Sequence, residues 1–204
     1  MRLTGNNLSA VRGGRTLFSG LGFSVDGGAA LVLTGPNGVG KTTVLRIVAG
    51  LMPPAAGRIA LEGGAAETPV GEQCHYIGHL AAIKTSLSIE ENARFWSGFL
   101  GGAPGRLDAA LDTFGLEALR DIPAGYLSAG QKRRLGLARL VLAERPLWLL
   151  DEPATSLDSA AQGILTGVVN EHLAAGGMVV AATHTALGFA NARELRLGAG
   201  PGPA

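Results

Sequence analysis

Residues 35–43, reading Gly-Pro-Asn-Gly-Val-Gly-Lys-Thr-Thr, constrain this chain more than any other stretch. Gly35, Gly40, Lys41 and Thr42 fill the pattern G-x-x-x-x-G-K-[ST] in full. An apolar run at 29–33 precedes them, and Val44, Leu45, Ile47, Val48 and Leu51 follow at helical spacing. Strand, glycine-rich loop and helix in that order make a phosphate-binding loop. Glycines let backbone N–H groups turn inward around a polyphosphate, and the positive end of the next helix points at it. The expected cradle is Gly35, Pro36, Asn37, Gly38, Val39, Gly40, Lys41, Thr42 and Thr43. Lys41 is expected to reach the β/γ-phosphates, and the Thr42 hydroxyl to take one position on a Mg²⁺ ion.

Further along, an apolar strand at 147–150 runs into Asp151-Glu152. An acidic pair at the C-terminal end of a parallel strand lies beside the phosphate loop in this kind of sheet. Asp151 is expected to hold the Mg²⁺, and Glu152 to orient or deprotonate an attacking water. His184 follows the apolar run 178–182 and is placed at another strand end, on the γ-phosphate side. Residues 127–131, Leu-Ser-Ala-Gly-Gln, precede Lys132-Arg133-Arg134. Ser128 and Gly130 at a helix start make a second anion-binding end. Two such ends cannot cradle one phosphate chain from the same side. Two chains placed head to tail, each completing the other's site, resolve this.

Length and composition set the bounds. The 204 residues suit one domain over 1–204, with a helical subdomain at about 86–143. Apolar residues make up 47%, enough for a sizeable core, while charged residues are only 16% and the net charge is +1. That balance gives no basic excess for a nucleic-acid partner. The lone Cys74 excludes an internal disulfide and reads as an inert residue in a short strand. No run approaches the 18 or so apolar residues of a membrane span, and the first ten residues lack an apolar signal core. The expectation is a chain that stays in the cytoplasm.

The remaining elements alternate. Residues 2–33 read as β-structure, with short strands at 15–18 and 22–25, and strands resume at 58–61 and 74–78. Between them, 62–71 reads as an exposed loop. Ser88-Ile89-Glu90-Glu91 is a capping box opening a helix through Phe99. Leu107, Ala110, Leu111 and Phe114 continue at helical spacing, and 128–143 is helical. A helix at 161–175, a strand at 178–182, a short helix at 186–191 and a strand at 194–197 follow. The tail 198–204 is expected to be disordered. Phe95, Trp96 and Phe99 are expected to pack the insertion's own small core, with a groove for a partner helix as the other reading.

The order GPNGVGKT, LSAGQ, LLDEP, SLD and ATH resembles the nucleotide-binding subunit of ABC transporters, over essentially the whole chain. Within that class, TLFSGLGFSV, YIGH with IKTSLS-x-EEN, and LSAGQKRRLGLARL are most similar to the ATP-binding subunit of the haem exporter of bacterial cytochrome c maturation. The resemblance implies an α/β fold: a mainly parallel sheet, an N-terminal antiparallel β subdomain and a helical insertion. It implies ATP and Mg²⁺ as ligands, integral membrane subunits as partners, and a peripheral place on the cytoplasmic face of the inner membrane. ATP use would then drive release of a haem-loaded chaperone.

The same resemblance assigns residues. Glu152 corresponds to the catalytic glutamate, His184 to the switch histidine, and Ser128, Ala129, Gly130 and Gln131 to the signature that meets the partner chain's ATP. Asp158 corresponds to the loop aspartate that crosses between protomers. Two positions depart from the pattern. By spacing to Leu87-Ser88, the usual glutamine that touches metal and water is Leu80, and the aromatic that stacks on adenine is replaced by the stretch Val11-Arg12-Gly13-Gly14-Arg15. Other readings are the ATPase of another small-cargo exporter, a soluble ABC protein acting on ribosomes or DNA, and a nucleotide switch that barely hydrolyses. Single-turnover hydrolysis with and without membrane partners separates the transporter ATPase from the nucleotide switch.

Overall fold

Two sheets and a helical insertion share the chain. The computed structural model describes residues 1–103 and 105–198; the expected disorder of 198–204 concerns residues that, but for Gly198, lie outside these. Strands β1 (Arg2–Arg12), β2 (Arg15–Asp26) and β4 (Ala56–Glu62) form an antiparallel sheet in the order β2-β1-β4. The second sheet runs β5 (Cys74–Ile77), β6 (Leu147–Asp151), β7 (Met178–Ala182), β3 (Ala30–Thr34) and β8 (Ala192–Arg196), every pair parallel. The two short strands expected at 15–18 and 22–25 are one continuous β2, because residues 19–22 keep their pairing with β1 through bulges.

The parallel sheet is covered on both faces, which explains why its strands read as unbroken apolar runs rather than alternating ones. Along β6, Leu147 and Leu149 join one core with α1 (Lys41–Val48) and the antiparallel sheet. Trp148 and Leu150 join the other, with α5 (Ser159–Ala174) and the insertion. Met178 and Val180 against Val179 and Ala181 divide the same way on β7, as the two-residue period of a strand requires.

The insertion consists of α2 (Ile89–Leu100), α3 (Arg106–Thr113) and the long α4 (Ala129–Leu142). The expected capping box at α2 is present. Ser88 Oγ accepts from the Glu91 amide at 3.1 Å, and Glu91 Oε2 accepts from the Ser88 amide at 2.8 Å. Buried Asn92 bonds both backbone atoms of Lys84 and the carbonyls of Leu87 and Ser88, which fixes the loop entering the insertion.

One expected element is absent. Residues 186–191 form no helix. Side chains of α5 take up their backbone groups instead. Thr166 Oγ1 donates to Leu187 O, Asn170 Nδ2 to Gly188 O, and Ala190 N donates to Asn170 Oδ1. Leu187 and Phe189 are buried while Ala186, Gly188 and Ala190 are exposed, an extended alternation that a helical reading of four apolar residues missed.

Candidate active site

The phosphate loop bridges β3 and α1, and two glycines show why the sequence is what it is. Gly35 has φ +126, and a Cβ there would lie 2.5 Å from Leu197 O. Gly40 has φ +114, and a Cβ would press at 3.0 Å on the Phe18 ring. Both positions are open to glycine alone. Lys41, buried at 8% exposure, donates from Nζ to Gly35 O at 2.7 Å and Pro36 O at 3.2 Å. The loop thus holds its ammonium over the cavity mouth rather than in solvent. The cavity, about 360 Å³, is lined by Asn37, Gly38, Gly40, Lys41, Thr42 and Thr43 on one side and Asp151 and Glu152 on the other.

Asp151 and Glu152 reach this cavity because β6 is the neighbour of β7 and lies two strands from β3. Thr42 Oγ1 donates to Asp151 Oδ1 at 3.0 Å. Two hard oxygen donors, one hydroxyl and one buried carboxylate, sit side by side at the foot of a phosphate loop. That pair suits a Mg²⁺ ion, which takes one or two protein oxygens and fills its shell with phosphate and water. Glu152 stands one residue beyond, with φ +46, a left-handed conformation unusual for glutamate. Its amide donates to Ala182 O at 2.7 Å, which turns the side chain off the strand line and into the cavity.

His184 arrives from the end of β7. Its Nε2 lies 3.2 Å from Lys41 Nζ, 3.0 Å from Asn37 Oδ1 and 3.6 Å from Glu152 Oε1. An Nε2 that accepts from the Lys41 ammonium carries no proton; an Nε2 that carries one donates to Asn37 or Glu152 instead. The location of one proton therefore decides which neighbour the ring holds. Glu152, His184 and Lys41 were placed at one site by reading the chain, and the structure brings them together.

The signature residues are elsewhere. Ser128 caps α4: its Oγ accepts from the Gln131 amide at 3.2 Å, and Gln131 Oε1 accepts from the Ser128 amide at 2.8 Å. Ser128 and Ala129 are exposed, Gly130 is half-buried against Ser156 O, and none of the three lines the chain's own phosphate cavity. Asp158 is the N-cap of α5, its Oδ1 accepting from the Ala161 amide at 2.8 Å.

Arg12 lines the phosphate cavity with Leu17 and Arg46, and no aromatic side chain among the described residues does. Phe18 is engaged beneath Gly40 and in the core. Leu80 lies outside that cavity. It is 80% exposed and, with His79, lines a separate groove of about 690 Å³. β5 ends at Ile77, so strand alternation does not separate residues 79 and 80, and both turn to the same hollow. The groove also takes in Trp96 and Phe99. Of the three aromatics expected to pack the insertion's core, only Trp96 does so; Phe95 is 46% and Phe99 73% exposed. Leu51, expected on the buried side of α1, lies past the helix end and is also exposed on the groove.

Arg133 was not singled out by sequence reading. It is buried at 5% exposure and donates to the carbonyls of Asp151 and Glu152 at 3.0 and 2.8 Å. A signal existed: Arg133 shares a helix face with buried Leu137 and Leu140, four and seven residues on, where a solvated arginine has no place.

Comparison with known proteins agrees with this geometry. A model of the ABC transporter family matches residues 18–155, and the chain belongs to that family. A solved structure described as the ATP binding subunit of an ABC transporter is 30% identical, with a TM-score of 0.82 over 90% of this chain and 80% of that one. Among sequence relatives, the cytochrome c biogenesis ATP-binding export protein CcmA of Rhodopseudomonas palustris (strain BisB5) is 54% identical over 199 residues, 98% of this chain and 99% of that protein. The protein of the same name from Bradyrhizobium diazoefficiens (strain USDA 110) is 54% identical over 97% of this chain and 98% of its own length. This is an ABC-type ATP-binding chain with parallel and antiparallel sheets, as its motifs implied.

Proposed function

We propose that this chain is the ATP-hydrolysing subunit of the haem exporter of bacterial cytochrome c biogenesis. It works with integral membrane subunits on the cytoplasmic face of the inner membrane, and its ATP use drives release of a haem-loaded chaperone. The observation that carries the reading is identity above 50%, over nearly full length on both sides, with export proteins named for cytochrome c biogenesis. Among the described residues no helix is long and apolar enough to cross a membrane, which accords with docking through partners. The groove suits that docking: Leu51, Leu80 and Phe99 give it an exposed apolar rim, and Arg46 and Arg145 supply positive charge beside it.

In this reading Lys41 offsets the β/γ-phosphate charge, and Thr42 with Asp151 would hold Mg²⁺. When bound, that ion neutralises charge developing on the phosphate oxygens. Glu152 orients the attacking water and takes its proton, a role worth roughly 10²–10⁴ in rate. His184 senses the γ-phosphate side through its contacts to Asn37 and Glu152. Because the α4 signature does not line its own chain's cavity, it is assigned to the ATP of a second copy, head to tail.

Glu152→Gln tests this directly, since the amide keeps the shape and loses the base. Light scattering is expected to show a dimer with ATP and not with ADP, for the chain alone or reconstituted with its membrane subunits. A monomer at saturating ATP in both settings removes the head-to-tail arrangement. In a bacterium lacking its own subunit, this chain is expected to restore c-type cytochromes and Glu152→Gln to leave the haem-loaded chaperone accumulating. Failure of the unaltered chain to restore them removes the haem assignment.

A further inference from the structure

The basic triplet after the signature splits its attachments. Lys132 donates to Gly125 O at 3.2 Å, and Arg134 to Phe114 O at 2.8 Å and Gly115 O at 3.1 Å, all within the insertion. Arg133 between them points the other way, into the parallel sheet. Nη1 donates to Gly78 O at 2.7 Å and His79 O at 3.4 Å, Nε to Pro153 O at 3.0 Å, and Nη2 to Asp151 O at 3.0 Å and Glu152 O at 2.8 Å. One guanidinium thus spans the exits of two neighbouring strands, β5 and β6. It makes no ion pair among the described residues; main-chain dipoles hold its charge. Burial pulls its pKa down, and the nearby Asp151 and Glu152 charges pull it back up.

The backbone it grips needs holding. Glu152 sits at φ +46, and a non-glycine residue in that region persists only where its surroundings over-determine it. Three hydrogen bonds act there: the Glu152 amide to Ala182 O from the sheet, the Thr155 amide to Glu152 O from the following turn, and Arg133 to the same carbonyl from α4. Five donors in a fixed plane match this spread of carbonyls; a lysine's point charge cannot span both strand exits.

We propose that Arg133 is a positioning residue for hydrolysis, making the orientation of Glu152 depend on the seat of α4. Engagement of the α4 N-terminus and aiming of the carboxylate then move as one unit, so that cleavage follows assembly. The inference rests on the reading that Glu152 activates water and that Ser128–Gly130 meet a second chain's nucleotide.

The test compares Arg133→Lys and Arg133→Gln with the unaltered chain, reconstituted with its membrane subunits. ATP dissociation constant, kcat, KM, the Hill coefficient for ATP and the melting temperature are measured. The phosphate cradle does not touch Arg133, so ATP affinity and KM are expected to stay within about twofold, while a misplaced Glu152 lowers kcat by roughly 10- to 100-fold. The Hill coefficient is expected to fall toward one. Arg133→Lys, which keeps the charge and most of the volume, recovers the melting temperature and not kcat. Normal kcat and Hill coefficient in a folded variant overturn the inference. So does a loss of ATP affinity in step with kcat, or failure of both variants to fold, since Arg133 is then a strut only. An unaltered chain that cleaves no ATP in the complex overturns the functional reading as well, and is told apart by that control.

Discussion

The phosphate cavity and the apolar groove share Arg46 in their linings, yet they are built on opposite terms. The cavity is the smaller, about 360 Å³ against about 690 Å³. Its lining is set by short-range demands: glycines where only glycine fits, a buried lysine held by carbonyls, a hydroxyl against a carboxylate. The groove is lined by residues from five elements and their loops, and no short motif names it. Two of its polar side chains, Arg139 and His75, are buried and make no ion pair among the described residues. Arg139, 6% exposed, stacks on Trp96 at 4.4 Å, and burial lowers its pKa to about 10. His75 bonds Ala143 O at 2.7 Å. A hollow that binds a fixed chemical group carries its own alphabet, whereas one that fits a protein surface is assembled by tertiary packing.

The largest expected effect tests the exacting side. Lys41→Arg should fold and melt as the unaltered chain does, yet lose ATP hydrolysis by at least ~10², because a guanidinium fork does not fit a loop that folds its carbonyls around one ammonium. Steady-state hydrolysis with a melting curve measures both. An arginine variant that turns over normally would make the cavity no more demanding than the groove.

That contrast also explains what could be read from the chain. Lys41 and Thr42 were legible because the phosphate-loop pattern names them, and Asp151, Glu152 and His184 because strand ends of a parallel sheet converge and these residues follow apolar runs. The sheet was legible because strands buried on both faces leave continuous apolar stretches. Arg133 was hidden in a basic triplet whose members look alike and point three ways. The exposure of Phe95 and Phe99 was hidden because helical spacing gives a face and not what covers it. The missing helix at 186–191 was lost to side chains of α5, twenty residues away in sequence, that took its hydrogen bonds.

The middle-sized effect lies on the groove side. Burial pushes His75 down to about 4, with the Ala143 carbonyl opposing and Arg145 and Arg139 adding to it. His172, stacked on Trp148 at 3.9 Å, is lowered too, by burial first. The unfolded chain takes up these protons near pH 6.5, whereas the folded one takes up each at lower pH, His75 near pH 4. Stability is therefore full above about pH 6.5 and falls as pH drops toward 4, by on the order of 3 kcal/mol from His75. Glu90, held low by Arg94 and Arg120, acts only below the ordinary carboxylate range and leaves the window from 6.5 to 5 to the histidines. Denaturant melts across that window are expected to slope down toward acid in the unaltered chain and to flatten in His75→Phe. Equal slopes in both would show that the groove's buried histidine is not what the acid finds.

The smallest effect falls where the cavity itself stops being exacting. Arg12 and Arg15 face each other across the Gly13-Gly14 turn of the β1–β2 hairpin, a like-charged pair that disfavours the hairpin unless an anion lies nearby. Neither makes a hydrogen bond or ion pair with another described side chain, and Arg12 lines the phosphate cavity. With no aromatic in that lining, its guanidinium plane is the flat surface available to a nucleobase. An exposed cation–π contact of this kind is worth roughly 0.5–1 kcal/mol, so Arg12→Ala should weaken ATP binding about two- to fivefold. Calorimetry with ATP and with inorganic tripolyphosphate separates base from charge. If Arg12 acts on the base, Arg12→Ala weakens ATP more than tripolyphosphate and Arg12→Tyr restores ATP. Equal weakening of both ligands would make Arg12 one more positive charge at the phosphate end, and the boundary between the exacting and permissive parts of this cavity would have to be drawn further out.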